Sequence, residues 1–305
     1  MPIEFHRNML ADKPRNDAFY RALKSVIKKN KTIVADLGSG TGLLGFMASK
    51  LGAKTVYMYE SADVIGLSQK LAKDNKIKNC HFIHEYSTAI IDPPEVDLVV
   101  SETLGNYAFE EHMIATLQDA KRFLKPGGVM IPQRVEQFVA PVVSPRFFDE
   151  LTIWDDVGYG LDFAEAKRMG LNNIYVRTFG QKDLLDGGKA AKCWDKADFS
   201  KKTSNNRKGK TNWKLDKQTT IYGFAVWWNC ELLPGIELST SPDAPKTHWE
   251  QLYFPVLEPL KLNKGDSFSV EIESKTSFES GTILKWQISA SGFKKQVLDL
   301  EKGFI

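Results

Sequence analysis

The sequence predicts two domains in series, a parallel doubly wound α/β domain over residues 1–132 and an antiparallel β-barrel or sandwich over residues 133–305. Three observations predict this. Before Pro132, apolar strands alternate with amphipathic stretches of about a dozen residues, the rhythm of βαβ units. After Pro132, β-rich runs follow one another across turn residues with no helix between them. Residues 147–172 interrupt that second rhythm with a helical pattern carrying a partly exposed apolar set, of the kind that packs on another chain.

Taken in order, residues 17–29 place Phe19, Leu23, Val26 and Ile27 at helical spacing behind Asn16 or Asp17 as N-cap. TIVADLGSGTG reads as strand, glycine-rich turn and helix start, and Gly52 can stop the helix that follows. KTVYMYE is a second strand, residues 63–75 a helix, HFIHE a third strand and VDLVV a fourth. Residues 110–124 set Met113, Leu117, Ala120 and Leu124 on one helical face, with Glu110 and Glu111 in the first turn, where carboxylates complement the helix dipole. LKPGGVMIP turns into a further strand. Beyond Pro132 the strand candidates are EQFVAPVV, TIYGFAVWW, GIELST, QLYFPV, DSFSVEI and KWQIS, and the polar, basic residues 200–212 read as a solvated loop.

Bulk properties narrow the class. The formal charge of +3 is too small to signal nucleic acid, and it is unevenly spread: residues 182–217 carry +6, leaving −3 for the rest, a body suited to a cationic substrate. Three scattered cysteines, Cys80, Cys193 and Cys230, signal neither a zinc site nor a disulfide framework, so no metal and a reducing, cytoplasmic or nuclear compartment are expected. The first fifteen residues are too charged for a secretory signal, and no apolar run approaches the ~18 residues of a membrane span.

The stretch from Asp36 to Gly42 follows the pattern DxGxGxG between a strand and a helix. A dinucleotide fingerprint would need glycine where Leu43 stands. Asp36 adds negative charge where a pyrophosphate would sit, but suits the ammonium and sulfonium of S-adenosylmethionine. Glu60 ends the second strand, where a carboxylate can accept both ribose hydroxyls.

With these residues on the page, the chain resembles the protein arginine N-methyltransferases over nearly its whole length. The resemblance rests on HRNMLADKPR (6–15), VADLGSGTG (34–42), Glu60, SETLGNYAFEE (101–111), LKPGG (124–128) and SPDAPKTHW (241–249). It implies a Rossmann-like cofactor domain, a β-barrel substrate domain and S-adenosylmethionine as cofactor. Arg15 would meet the cofactor carboxylate, Gly38 and Gly40 its methionine side and Glu60 its ribose; the family's acidic residue for the adenine amine falls near Ser87, so Glu85 or a backbone group would take its place at that end of the cofactor site. Glu102 and Glu111 would grip the guanidinium of an arginine-containing protein or peptide, His248 would pair with Asp12, and Trp249 would help wall the pocket. Met9 and Met113 would bracket that pocket, as in asymmetric dimethylating members. Thr103 and Leu104, which stand where those members have Trp and Met, resemble the symmetric branch instead. Residues 154–176 would be a dimerisation arm docking on the partner's cofactor domain, so a homodimer is expected. The family's aromatic helix ahead of His6 is not expected, because the sequence begins at Met1.

Two carboxylates suit this chemistry for a physical reason. A guanidinium has no lone pair to spare and approaches a positive sulfonium. Two unit charges about 4 Å apart repel by about 4 kcal/mol at an effective dielectric near 20. Paired carboxylates offset that repulsion and clamp the guanidinium plane. Glu111, or His248 held by Asp12, could then take the proton that the product sheds. Two other readings stay open on sequence: a catalytically silent, dimeric scaffold of the same family, and a methyltransferase acting on a small cationic amine or RNA.

Overall fold

A computed structural model describes residues 3–303. The first domain comprises α1 (Ile3–Ala11), α2 (Lys13–Val26), β1 (Ile33–Leu37), α3 (Leu43–Lys50), β2 (Thr55–Tyr59), α4 (Val64–Asp74), β3 (Cys80–Ile83), β4 (Val96–Ser101), α5 (Met113–Asp119) and β5 (Leu124–Ile131). Its strands form a parallel sheet in the order β3-β2-β1-β4-β5. Helices cover the sheet, so its central strands are apolar without alternation: Val34, Ala35 and Leu37 of β1 and Leu98, Val99 and Val100 of β4 are fully buried. The order reverses between β1 and β4, which opens a crevice at their carboxyl ends, the usual ligand position in such sheets. Ser101 Oγ donates to the Leu37 carbonyl at 2.9 Å and ties the two strands together where that crevice begins.

Helix α2 starts four residues earlier than the apolar pattern suggests. Asp12, rather than Asn16 or Asp17, is its N-cap, accepting the Arg15 N–H at 3.0 Å, and Pro14 occupies the first turn. Residues 110–124 do not form one helix. The chain turns through 107–112, α5 starts only at Met113 after His112 adopts φ 56°, and a short 3-10 turn precedes β5.

The second part contains β6 (Arg134–Val142), α6 (Arg146–Leu151), α7 (Ala164–Leu171), β7 (Tyr175–Arg177), β8 (Lys192–Asp198), β9 (Asn206–Lys214), β10 (Thr219–Leu233), β11 (Ile236–Ser239), β12 (Gln251–Leu262), β13 (Ser267–Ser277), β14 (Gly281–Ala290) and β15 (Gln296–Asp299). Two antiparallel sheets form a sandwich rather than a closed barrel. One runs β7-β12-β10-β6-β8 with β11 on β10, the other β15-β14-β13-β9. Trp228 of β10 and Trp286 of β14 are fully buried in its core.

The basic segment expected as a loop contains strand β9. Its alternate residues Thr211 and Trp213 turn inward while Lys208, Lys210 and Lys214 face solvent. Lys208 reaches Glu271 and Glu273 of β13 at 2.8 Å each, so the positive run is matched across the ladder. Between β6 and β7, α6, α7 and the segment joining them present an apolar surface: Ile153 and Leu161 of the segment and Met169 of α7 are exposed, and Tyr159 is 92% exposed. Among the described residues, no helix is long and apolar enough to cross a membrane, and no His/Cys/Asp/Glu cluster could hold a metal.

Candidate active site

A cavity of about 290 Å³ lies along the carboxyl ends of β4, β1, β2 and β3, at the low end for a small-molecule site. Its floor is the turn after β1. Gly38, Gly40 and Gly42 have φ values of 72°, 52° and 96°, and a Cβ at Gly42 would strike Ser68 Oγ at 2.4 Å, so the turn admits no side chain there. Asp36 does not present a free charge to the cavity. It is 1% exposed, accepts the Gly45 N–H at 2.8 Å, and burial pushes its carboxyl up to about 7. It lines the cavity and organises the start of α3. Glu60 accepts N–H groups from Gly40 and Ala62, both at 2.8 Å, which fixes its carboxylate beside the turn and leaves lone pairs on both oxygens. Ser39 Oγ and Thr103 Oγ1 are buried hydroxyls in residues of this wall and have no hydrogen-bond partner.

Glu102 emerges from β4 into the same cavity. Arg15 Nε donates to its Oε2 at 2.7 Å, Arg15 Nη2 donates to the same oxygen, and the Leu104 N–H meets Oε1 at 3.0 Å. Both side chains are almost fully buried. Arg15, expected on a cofactor carboxylate, lines the cavity and is bonded there to Glu102 and, at 2.8 Å, to Asn16, because a buried guanidinium needs a carboxylate within reach. Glu111 also lines the cavity but is partly exposed and has no cation in contact. Crowding by the loop, with the charges of Glu102, Glu110 and Glu60, raises its carboxyl to about 7, against a smaller opposing pull from Arg15.

Glu110 is not a solvated helix-start charge. It folds back inside the loop, partly buried and with its carboxyl raised by burial. It occupies the space over Gly105, where a Cβ would meet Glu110 Oε2 at 2.1 Å. The loop is also held from behind. Trp249 Nε1 donates to the Leu104 carbonyl at 2.9 Å, Trp228 Nε1 to the Gly105 carbonyl at 3.0 Å, and Asn106 Oδ1 accepts the Glu250 N–H at 2.9 Å. Trp249, expected on the pocket wall, therefore stands one layer behind it.

His248 meets Asp12 through both its ring Nδ1 (2.7 Å) and its backbone N–H (2.8 Å). Burial works against the Asp12 charge, yet these bonds and the Arg15 N–H outweigh it and hold the carboxyl below its usual range. His248 does not line the cavity; its ring packs on Trp249 at 4.0 Å. The series Trp249, His248, Asp12, Arg15, Glu102 links the sandwich to the strand-end carboxylate. Met9 and Ser87 line the cavity, but Met113, the first residue of α5, is fully buried in the core, so the expected methionine bracket does not form. His6 also lines the cavity, and burial lowers its pKa with Glu60 opposing. Trp228 escapes a sequence reading because it is one aromatic residue in the apolar run GFAVWW; only the packing shows that it backs the loop.

Residues 133–289 match the family model "arginine methyltransferase oligomerization subdomain", and residues 19–134 match that of the ribosomal protein L11 methyltransferase. Among curated relatives, protein arginine N-methyltransferase 2 of Xenopus tropicalis is 29% identical over 88% of this chain and 65% of its own length. Probable protein arginine N-methyltransferase 3 of Arabidopsis thaliana is 30% identical over 84% and 47%. The chain thus spans about half to two thirds of those two relatives. Among solved structures, the Trypanosoma brucei PRMT1 enzyme–prozyme heterotetrameric complex with AdoHcy superimposes with a TM-score of 0.84 at 21% identity, covering 97% of each chain. The open conformation of Arabidopsis thaliana protein arginine methyltransferase 10 gives 0.78 at 23%, covering 96% and 95%.

Proposed function

The chain belongs to the protein arginine methyltransferase family, and on that premise we propose that it transfers methyl groups from S-adenosylmethionine to guanidino nitrogens of arginine in proteins. The observation that carries this reading is the convergence of Glu102 and Glu111 on one cavity whose floor is the glycine turn and Glu60. The cavity fits the cofactor: a turn with glycine at every second position, a carboxylate with free lone pairs where a ribose would lie, and two unpartnered hydroxyls, Ser39 and Thr103, in its wall. Gly38, Gly40, Glu60 and Ser87 would hold it, and when bound it supplies a methyl group on a sulfonium.

The chain's own residues then have separable tasks. Arg15 holds Glu102 pointed into the cavity through two N–H bonds to one oxygen, and the remaining lone pairs of that carboxylate take the substrate guanidinium edge-on. Glu111 holds the other edge as a carboxylate and, with its pKa near neutral, accepts the proton that the product nitrogen releases. Asp12 and His248 act through Arg15, as positioning residues. Aligning the nucleophile and balancing charge in this way is how a site without a covalent step accelerates transfer.

The test uses labelled S-adenosylmethionine and an Arg/Gly-rich peptide. The wild-type protein should label the peptide and Glu102→Gln should not; equal labelling by both would sink the assignment. Mass spectrometry of the hydrolysed product distinguishes monomethyl, asymmetric and symmetric dimethylarginine. We propose further that the protein is a homodimer joined through residues 154–176. The exposed apolar set there and the oligomerisation-subdomain match support this. Light scattering should give a dimer at micromolar concentration, and Tyr159→Lys should shift it to monomer.

A further inference from the structure

We propose that Phe278, on the sandwich domain, forms one wall of the adenine end of the cavity, so that the second domain binds the cofactor directly. The inference rests on the reading of that cavity as an S-adenosylmethionine site.

Phe278 sits at a hairpin tip. The last register pair of β13 and β14 is Ser277 with Gly281, leaving Phe278, Glu279 and Ser280 as a three-residue loop. Gly281 supplies the left-handed residue, at φ 66°, that closes such loops. Ser280 N–H donates to Ser277 Oγ at 3.1 Å and the two hydroxyls meet at 2.7 Å, so the turn is held by its own polar groups. An aromatic ring is out of place in a polar turn, and this one is 60% exposed. It is nevertheless positioned: it stacks on His112 with centroids 4.2 Å apart and planes 21° from parallel. Both rings line the cavity.

The sheet order says which end of the cavity this is. Going outward from the switch point, β1 carries the glycine turn, β2 ends in Glu60, and β3 is followed by residues 85–88. A nucleoside with its ribose on Glu60 directs its base toward 85–88. The chain around α5 lies beside that segment, since Arg122 donates to the Ser87 carbonyl at 3.0 Å. Thr116 of α5 and His112 just ahead of it line the same cavity as residues 85–88, and Phe278 extends that wall from the other domain. A flat π surface in a cavity wall favours a flat heteroaromatic ring, and stacking of this kind tolerates a partly wet edge.

Calorimetric titration of the full chain with S-adenosylhomocysteine tests this. Phe278→Ala should weaken binding about ten-fold or more, while Phe278→Tyr should stay within about two-fold, since its ring has the same π face. The adenine-containing fragment 5′-methylthioadenosine should lose the same factor as S-adenosylhomocysteine. The ligand-free unfolding midpoint should not move, because the ring is solvent-exposed. Equal affinity of wild type and Phe278→Ala would overturn the inference, as would an effect confined to KM for the arginine peptide. A wild-type protein that binds neither ligand would overturn the cavity reading itself, and this inference with it.

Discussion

At the strand end of the 102–111 loop, the Glu102 carboxylate is sealed against Arg15 and the Leu104 N–H; at the helix end, Glu111 faces the cavity with no cation on it and its carboxyl raised to about 7. The residue type is the same and the spacing is only nine positions, so the difference lies in what the rest of the chain brings to each end. α2 delivers a guanidinium to one end and nothing to the other. A carboxylate that must stay charged needs a permanent partner; one that must take up a proton needs a pKa near the working pH.

The largest effect should come from the sealed end. Glu102→Gln leaves the buried Arg15 charge without its counterion, which costs about 3–5 kcal/mol of stability, and methyl transfer should fall by about three orders of magnitude or more. Chemical denaturation and label incorporation read the two losses separately. A stable, active Glu102→Gln protein would remove the contrast.

Glu111→Gln should instead fold as well as wild type and lose activity by about two orders of magnitude. The sign of the pH effect follows from the raised pKa. The protonated form is favoured by folding, so stability is fullest below the ordinary glutamate value and declines as pH rises toward about 7. Solvent on one side of the carboxyl holds that decline to about 1 kcal/mol. Activity runs the other way, because only the carboxylate balances the cation: kcat/KM should rise through about pH 7, and Glu111→Gln should lack that limb. A wild-type profile flat between pH 6 and 8 would contradict the assignment.

The positioning series should give smaller effects. Asp12→Ala removes the α2 cap and the His248 contact, and should lower stability by about 1–2 kcal/mol at neutral pH. Since the Asp12 pKa is depressed, that stability is present above the ordinary aspartate value and is lost as pH falls below it, so the mutant and wild-type curves should converge in acid. Trp249→Phe leaves the Leu104 carbonyl unpaired at a cost of about 1 kcal/mol. Its kcat should fall more than its KM changes if the tryptophan acts by aiming Glu102.

Much of this contrast was legible in the residues themselves. An acidic side chain at the end of an apolar strand, VDLVVSE, has no structural excuse, and Glu102 stands out for that reason. The DxGxGxG turn and Glu60 mark the cavity because glycine and carboxylate chemistry are local. Glu110 reads as a helix-start charge in sequence but lies in the loop, because a left-handed His112 delays the helix and no periodicity reports a turn. Strand β9 reads as a loop in sequence because its lysines mask the inward alternation of Thr211 and Trp213, and their charge is offset by glutamates on β13 that no local pattern reveals.

The sequence by itself determined the α/β rhythm, the break at Pro132, the strand-end carboxylate and the glycine turn, since each depends on side-chain period or backbone freedom within a few residues. Only the tertiary structure decided which carboxylate meets Arg15, 87 positions away, that Trp249 stands behind the pocket and not in it, and that a hairpin of the sandwich reaches the cofactor cavity. Those outcomes depend on which surfaces meet when the two domains close on each other, and no local pattern encodes the meeting.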